Sequence, residues 1–185
     1  MDAGLAGVLG ALAGAVSTAG AALVTGWSAR ETATIGARAQ HLQERRGARE
    51  ACYTKFLDIA YAVFAELEKI VPRLLAVESI AAELDAFLDT VKPIERARRE
   101  VGFAGPETAH EAARLATRIA TRVQWELEHY RNSVALVDAE SFTANRNQTR
   151  VLGESLFYKM EELKPAVIQF EEIARKALQD YGARR

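Results

Sequence analysis

Few residues in this 185-residue chain could carry chemistry: three histidines (His41, His110 and His129) and one cysteine, Cys52, stand among 25 acidic and 24 basic side chains. Glu126-x-x-His129 has the spacing with which di-iron carboxylate bundles project two ligands one helical turn apart. Such a centre needs a second Glu-x-x-His on another helix and two further carboxylates, whereas the other copy of the spacing, Glu107-x-x-His110, lies in the same helical stretch as the first. Glu126, Glu128 and His129 therefore read first as solvated surface residues. A metal-dependent bundle enzyme around Glu126 and His129 stands as the third functional reading. His110-Glu111 is not followed by the second histidine of a zinc-protease helix and reads as first-turn decoration. No G-x-S-x-G elbow, Walker A loop, dinucleotide fingerprint or paired-cysteine zinc spacing occurs. The expectation is no catalytic residue, no metal site, no cofactor and no enzymatic activity. Cys52 reads as a packed or idle thiol, compatible with a reducing compartment.

The elements that would position any site divide sharply by charge. Formal charge is -1 overall, which excludes a polycationic nucleic-acid binder, and a single cysteine excludes a disulfide-stapled module. No charged residue occurs between Ala3 and Trp27, so nearly all the charge falls in residues 28–185. As a helix, 3–27 would measure about 37 Å against a hydrocarbon core of roughly 30 Å. The segment is rich in Ala and Gly, so its hydrophobicity is marginal for a span. A cleaved signal peptide would want a basic stretch first, yet only Met1 and Asp2 precede. A soluble alanine-rich helix is the other alternative. The reading favoured is a single transmembrane helix over 1–27, with Trp27 and Arg30 as interfacial anchors. Arg30, Arg38, Arg45, Arg46 and Arg49 all follow it, so the positive-inside rule places the N-terminus outside and the bulk of the chain in the cytoplasm.

Side-chain size in that segment is segregated: Leu5, Leu9, Leu12, Val16 and Leu23 share one helical face. Gly7, Gly10, Gly14, Ser17 and Ala21 share the opposite one, and Gly10-x-x-x-Gly14 is a spacing that lets membrane helices approach closely. That face predicts helix–helix association in the membrane, and with it a homo-oligomer.

Beyond Trp27 there is no strand signal, and helical periodicity runs throughout. Ile35, Ala39 and Leu42, then Tyr53, Phe56, Ala60, Val63, Leu67 and Ile70, follow a coiled-coil-like alternation of four and three. Residues 28–50 read as an Arg-rich stalk, weakened by Gly36 and Gly47, that firms into a packed helix ended by Pro72. A second helix uses Val77 to Val91, and Pro93 either kinks it or opens a continuation from Ile94. Gly102 to Gly105 reads as a turn, with Pro106 and Glu107 starting a third helix through Val134. Asp138 to Thr149 reads as a loop, and Leu152 to Leu178 as a last helix with a kink at Pro165. The fold class expected is all-α: a transmembrane helix, a stalk, and an antiparallel bundle of about four helices over 51–185.

Arg45, Arg46 and Arg49 form the densest charge cluster. They read as a solvated stalk with Arg46–Glu50 pairing, with partner docking and anionic lipid as alternatives. Nucleic acid is not expected, since acids interleave with the basic residues and no aromatic platform accompanies them.

Several short motifs run along the chain: Arg49-Glu50-Ala51-x-Tyr53-x-x-Phe56-Leu57, Val101-Gly102-Phe103-Ala104-Gly105-Pro106-Glu107 followed by Ala112-Ala113, and Phe170-x-x-x-Ala174-Arg175-x-x-Leu178. In these the chain resembles a loose group of small membrane-anchored helical proteins of high-GC actinobacteria. The resemblance implies an anchored helical architecture and brings no activity, ligand or catalytic residue. The functional expectation is a single-pass, membrane-tethered bundle that serves protein interaction or scaffolding. Its expected partners are membrane lipid, a protein partner and a second copy of itself. A bilayer-perturbing oligomer driven by the Gly10/Gly14 face is the alternative.

Overall fold

In a computed structural model, the backbone is described for residues 3–134 and 142–183, and side chains for 30, 32–41, 43–133 and 146–179. The protein is all-helical, with α1 over Ala3–Leu75, α2 over Ala81–Val91, α3 over Ile94–Ala104, α4 over Glu107–Val134 and α5 over Phe142–Ala183. Two units divide the chain, Met1–Arg45 and Arg46–Arg185.

The second unit is an antiparallel four-armed bundle. Its first arm is the latter part of α1. Tyr53, Phe56, Ala60, Val63, Leu67, Ile70 and Leu74 each retain at most 2% of their exposure, because the four-three alternation keeps them on one helical face. The second arm is α2 followed by α3. Pro93 has no N–H and its ring crowds the preceding turn, yet its backbone stays helical (φ -77°, ψ -7°) and its carbonyl accepts from Ala97 N at 3.0 Å. Of the two expectations for Pro93, the one met is a fresh helix opening after it. The third and fourth arms are α4 and α5.

Contacts along the arms fix their directions. Phe56 stacks edge-on against Phe170 (4.6 Å between centroids), Lys164 lies over Phe64, and Gly153 sits against Leu74 and Leu75, so α1 and α5 run oppositely. Tyr130 meets Thr149 and Glu126 meets Lys159, which sets α4 antiparallel to α5. Lys55 pairs with Glu100, and Arg131 with Asp85, so the α2–α3 arm opposes both α1 and α4. The core face of α4 is unusually small, with Ala109, Ala112, Ala113, Ala116 and Ala120 all buried. Small side chains there let neighbouring backbones approach and leave room for Phe56, Phe87 and Phe170 at full burial.

Three expectations about boundaries are corrected. Pro72 does not end α1; the helix runs on to Leu75. What ends it is a 6→1 and 5→2 hydrogen-bond pair, Glu78 N to Arg73 O (2.8 Å) and Val77 N to Leu74 O (3.0 Å), with Val77 in left-handed backbone at φ 58°. That is a Schellman closure. Residues 142–149 are not loop but the first turns of α5. Their polar composition alone predicts a loop, yet Thr149 is buried there and shares a 3.2 Å hydrogen bond with Tyr130 Oη. The Gly102–Gly105 turn is shorter than expected, since α3 continues to Ala104 before Gly105 turns extended (φ -108°, ψ 176°) and donates to Val101 O.

The stretch 28–50 is helical throughout as part of α1, and each described side chain from 30 to 48 is exposed. Among the described residues no helix is long and apolar enough to cross a membrane. The side chains of residues 1–29, on which the transmembrane expectation rests, lie outside the described ones.

Candidate functional site

On α4, Leu115, Arg118, Ile119 and Arg122 recur at three- and four-residue spacing, so they share a face lying outside the alanine seam. On α5, Ser155, Tyr158, Lys159, Glu162 and Pro165 do the same. The antiparallel pairing of the two helices sets these faces side by side and leaves a groove of about 620 Å³ between them. Its rim is apolar and wet: Leu115 is 41% and Tyr158 69% exposed. One turn beyond Arg122, Trp125 is 65% exposed and stacks on His129, with ring centroids 5.7 Å apart and planes within 11°.

A sequestered polar lock fixes the two walls. Lys159 Nζ reaches both oxygens of Glu126 at 2.8 and 2.9 Å and also Ser155 Oγ at 2.7 Å, while Ser155 Oγ donates to Glu126 at 3.2 Å. Both charged side chains are less than a fifth exposed, so neither could lose its partner without a desolvated charge remaining. Arg118 and Arg122 are different. Neither forms an ion pair among the described residues, and they sit one turn apart as like charges. The α4 wall therefore presents two uncommitted guanidinium groups beside an apolar rim, a combination suited to holding carboxylates and apolar side chains together.

The residues singled out from the sequence fall as follows. Gly7, Gly10, Gly14, Ser17, Ala21 and Trp27 belong to the helical backbone of α1, and their side chains lie outside the described residues. Arg30, Arg45 and Arg46 are exposed. Arg49 does not belong with them: its Nε donates to the carbonyl of Ala104 at the end of α3. The expected Arg46–Glu50 pair is not among the ion pairs of the described residues. Glu126 and His129, which the metal reading places together, diverge. Glu126 is committed to Lys159 and Ser155, and His129 to the Trp125 ring. No group of three metal-ligating side chains gathers among the described residues. Tyr158 and Leu115 were missed by sequence reasoning, since their importance comes from pairing two helices. Trp125 carried a signal, because it lies off the Val123–Leu127 core stripe of its own helix.

At the opposite end of α4, the α3–α4 junction holds a tighter arrangement. Tyr53, 2% exposed, turns its hydroxyl against Gly105, and His110 turns Nδ1 against Gly102; neither polar atom has a partner among the described residues. Burial pushes the Tyr53 phenol above its ordinary range, and the Arg49 charge opposes that shift. Burial first and Glu100 second likewise push the Cys52 thiol up, which disfavours the thiolate needed of a nucleophile.

The chain matches no family model, no curated protein and no solved structure.

Proposed function

We propose that the protein is a single-pass, membrane-tethered helical bundle whose α4–α5 groove docks an acidic amphipathic helix of a partner protein, with no catalysis of its own. The observation that carries this reading is the groove itself: an exposed apolar rim of Leu115 and Tyr158, with the exposed Trp125 ring one turn beyond Arg122, beside two guanidinium groups that form no ion pair among the described residues. Apolar surface on a rigid two-helix groove and charge on one wall are what helix-in-groove recognition uses. Carboxylates on the partner would complement Arg118 and Arg122, and its apolar face would cover the exposed rings.

Tethering is supported by the uncharged stretch from Ala3 to Trp27 and by the arginines that follow it, which also favour a cytoplasmic bundle. Fractionation combined with protease accessibility of intact cells tests tether and orientation together.

The groove is tested with the Trp27→Phe full chain, in which Trp125 is the sole tryptophan. An acidic amphipathic helical peptide shifts Trp125 emission on titration, and its lysine-substituted counterpart does not. The double substitution Arg118→Glu with Arg122→Glu inverts that preference. Equal response to both peptides, or none to either, would overturn the docking assignment.

A further inference from the structure

The stripe that α1 buries in the bundle continues, in register, beyond the part that the bundle covers. Counting back from Tyr53 by four and three gives Arg49, Arg46, Leu42, Ala39, Ile35 and Thr32, and α1 is one helix across all of them. Downstream the stripe is fully covered, with Phe56, Ala60 and Val63 at zero exposure. Upstream, Ile35 is 61% exposed and Ala39 is exposed as well. Most helical stability in a protein comes from packing an apolar face rather than from propensity, and Gly36 and Gly47 weaken this stretch further.

We propose that a second copy of this chain covers the upstream stripe, forming a parallel two-stranded coiled coil over residues 32–50. In this register Ile35 and Leu42 occupy d positions, Thr32 and Ala39 occupy a positions, Arg38 and Arg45 are at g, and Gln43 and Glu50 are at e. Parallel pairing brings each g residue to the e residue five positions later on the other copy. Arg45 then meets Glu50, and Arg38 meets Gln43. Neither Arg45 nor Glu50 has an ion-pair partner among the described residues of its own chain. An antiparallel pair would instead align g with g and set the arginines against one another. The outer face agrees with this assignment, since Gln40 and Glu44, at b and f, are bonded to each other at 3.1 Å on the side away from the stripe.

The same register explains where the coiled coil stops. Arg46 at a and Arg49 at d would face their counterparts at the dimer axis, but Arg49 is drawn to Ala104 O in its own bundle. From Tyr53 onward the stripe is occupied by α3 and α5. The second copy and the bundle thus take successive parts of one helical stripe. The parallel sense agrees with the proposed single-pass tether, which starts both copies from the same side, while the pairing rests on the stripe and its charges.

Disulfide trapping tests the pairing in the full chain reconstituted in phosphatidylcholine vesicles, on a Cys52→Ser background. A cysteine replacing Ile35 (d) should oxidise to a covalent dimer about tenfold faster than one replacing Ala37 (f), because d positions face each other within disulfide reach and f positions point away from the axis. Adding Arg45→Glu should slow the Ile35→Cys reaction, and adding Glu50→Arg to that variant should restore it. Similar rates at 35 and 37, or dimers indifferent to both charge changes, would overturn the proposal; the latter is the pattern expected if only the Gly10/Gly14 face associates. Co-sedimentation of the same samples with the vesicles reads the tether separately. Protein that fails to sediment yet keeps the position and charge dependence would remove the tether and leave the coiled coil standing.

Discussion

Val77 is a β-branched residue holding φ 58°, a backbone region that usually falls to glycine at this point of a helix terminus. What holds it there is the pairing around it. The Schellman closure commonly carries an apolar contact between the residues flanking the turn, whereas here those positions are Arg73 and Glu78, joined as an ion pair at 3.2 Å. Arg73 also pairs with Glu83 in the first turn of α2, so one guanidinium ties the end of one helix to the start of the next. Val77→Gly should be more stable than Val77→Ala by about 1 kcal/mol, since both lose the side chain and only glycine relieves the left-handed strain. Urea midpoints of the two variants measure the difference. A second residue-scale prediction concerns pH. The Lys55 hydrogen bond, with Arg96 adding to it, holds the Glu100 carboxyl below its ordinary 4.5. A depressed folded value stabilises above the unfolded value and is lost as pH falls through the folded one. The stability difference between wild type and Lys55→Met should therefore be present at neutral pH and vanish in strong acid.

Among the elements, the three apolar stripes of α1, α4 and α5 were legible from spacing alone, because each lies on one helix and obeys one period. Their ends were less so. Pro72 looked like a stop signal, but α1 is terminated by the hydrogen-bond geometry at 76–78, which no single residue type announces when valine replaces glycine. The polar run from 142 to 149 looked like loop, because the burial of Thr149 depends on Tyr130 of another helix. The groove was hidden for the same reason: its walls are contributed by two helices far apart in sequence. The α3–α4 junction is the element most sensitive to small change. A Cβ on Gly105 would collide with the Tyr53 hydroxyl and lie 3.2 Å from the adjoining ring carbons, and that ring is fixed in the core against Phe170. Gly105→Ala should destabilise the bundle by about 1–3 kcal/mol. Thermal unfolding measures the loss, and adding Tyr53→Phe, which removes the colliding oxygen, should recover part of it.

At the scale of the whole bundle, three of the four neighbouring pairs of arms are consecutive in the chain: α1 with α2–α3, α2–α3 with α4, and α4 with α5. The fourth pair is α1 with α5, joined by Phe56 and Phe170 across more than a hundred residues. This sets an order of assembly during synthesis. Each new arm can lie down against the one just made, as chains built from local contacts do. The aromatic centre, however, has no Phe170 until the last arm is made, so Tyr53 and Phe56 wait exposed on the oldest part of the bundle. A chain interrupted anywhere before α5 is complete would carry its largest core rings on the outside, where they invite aggregation rather than function.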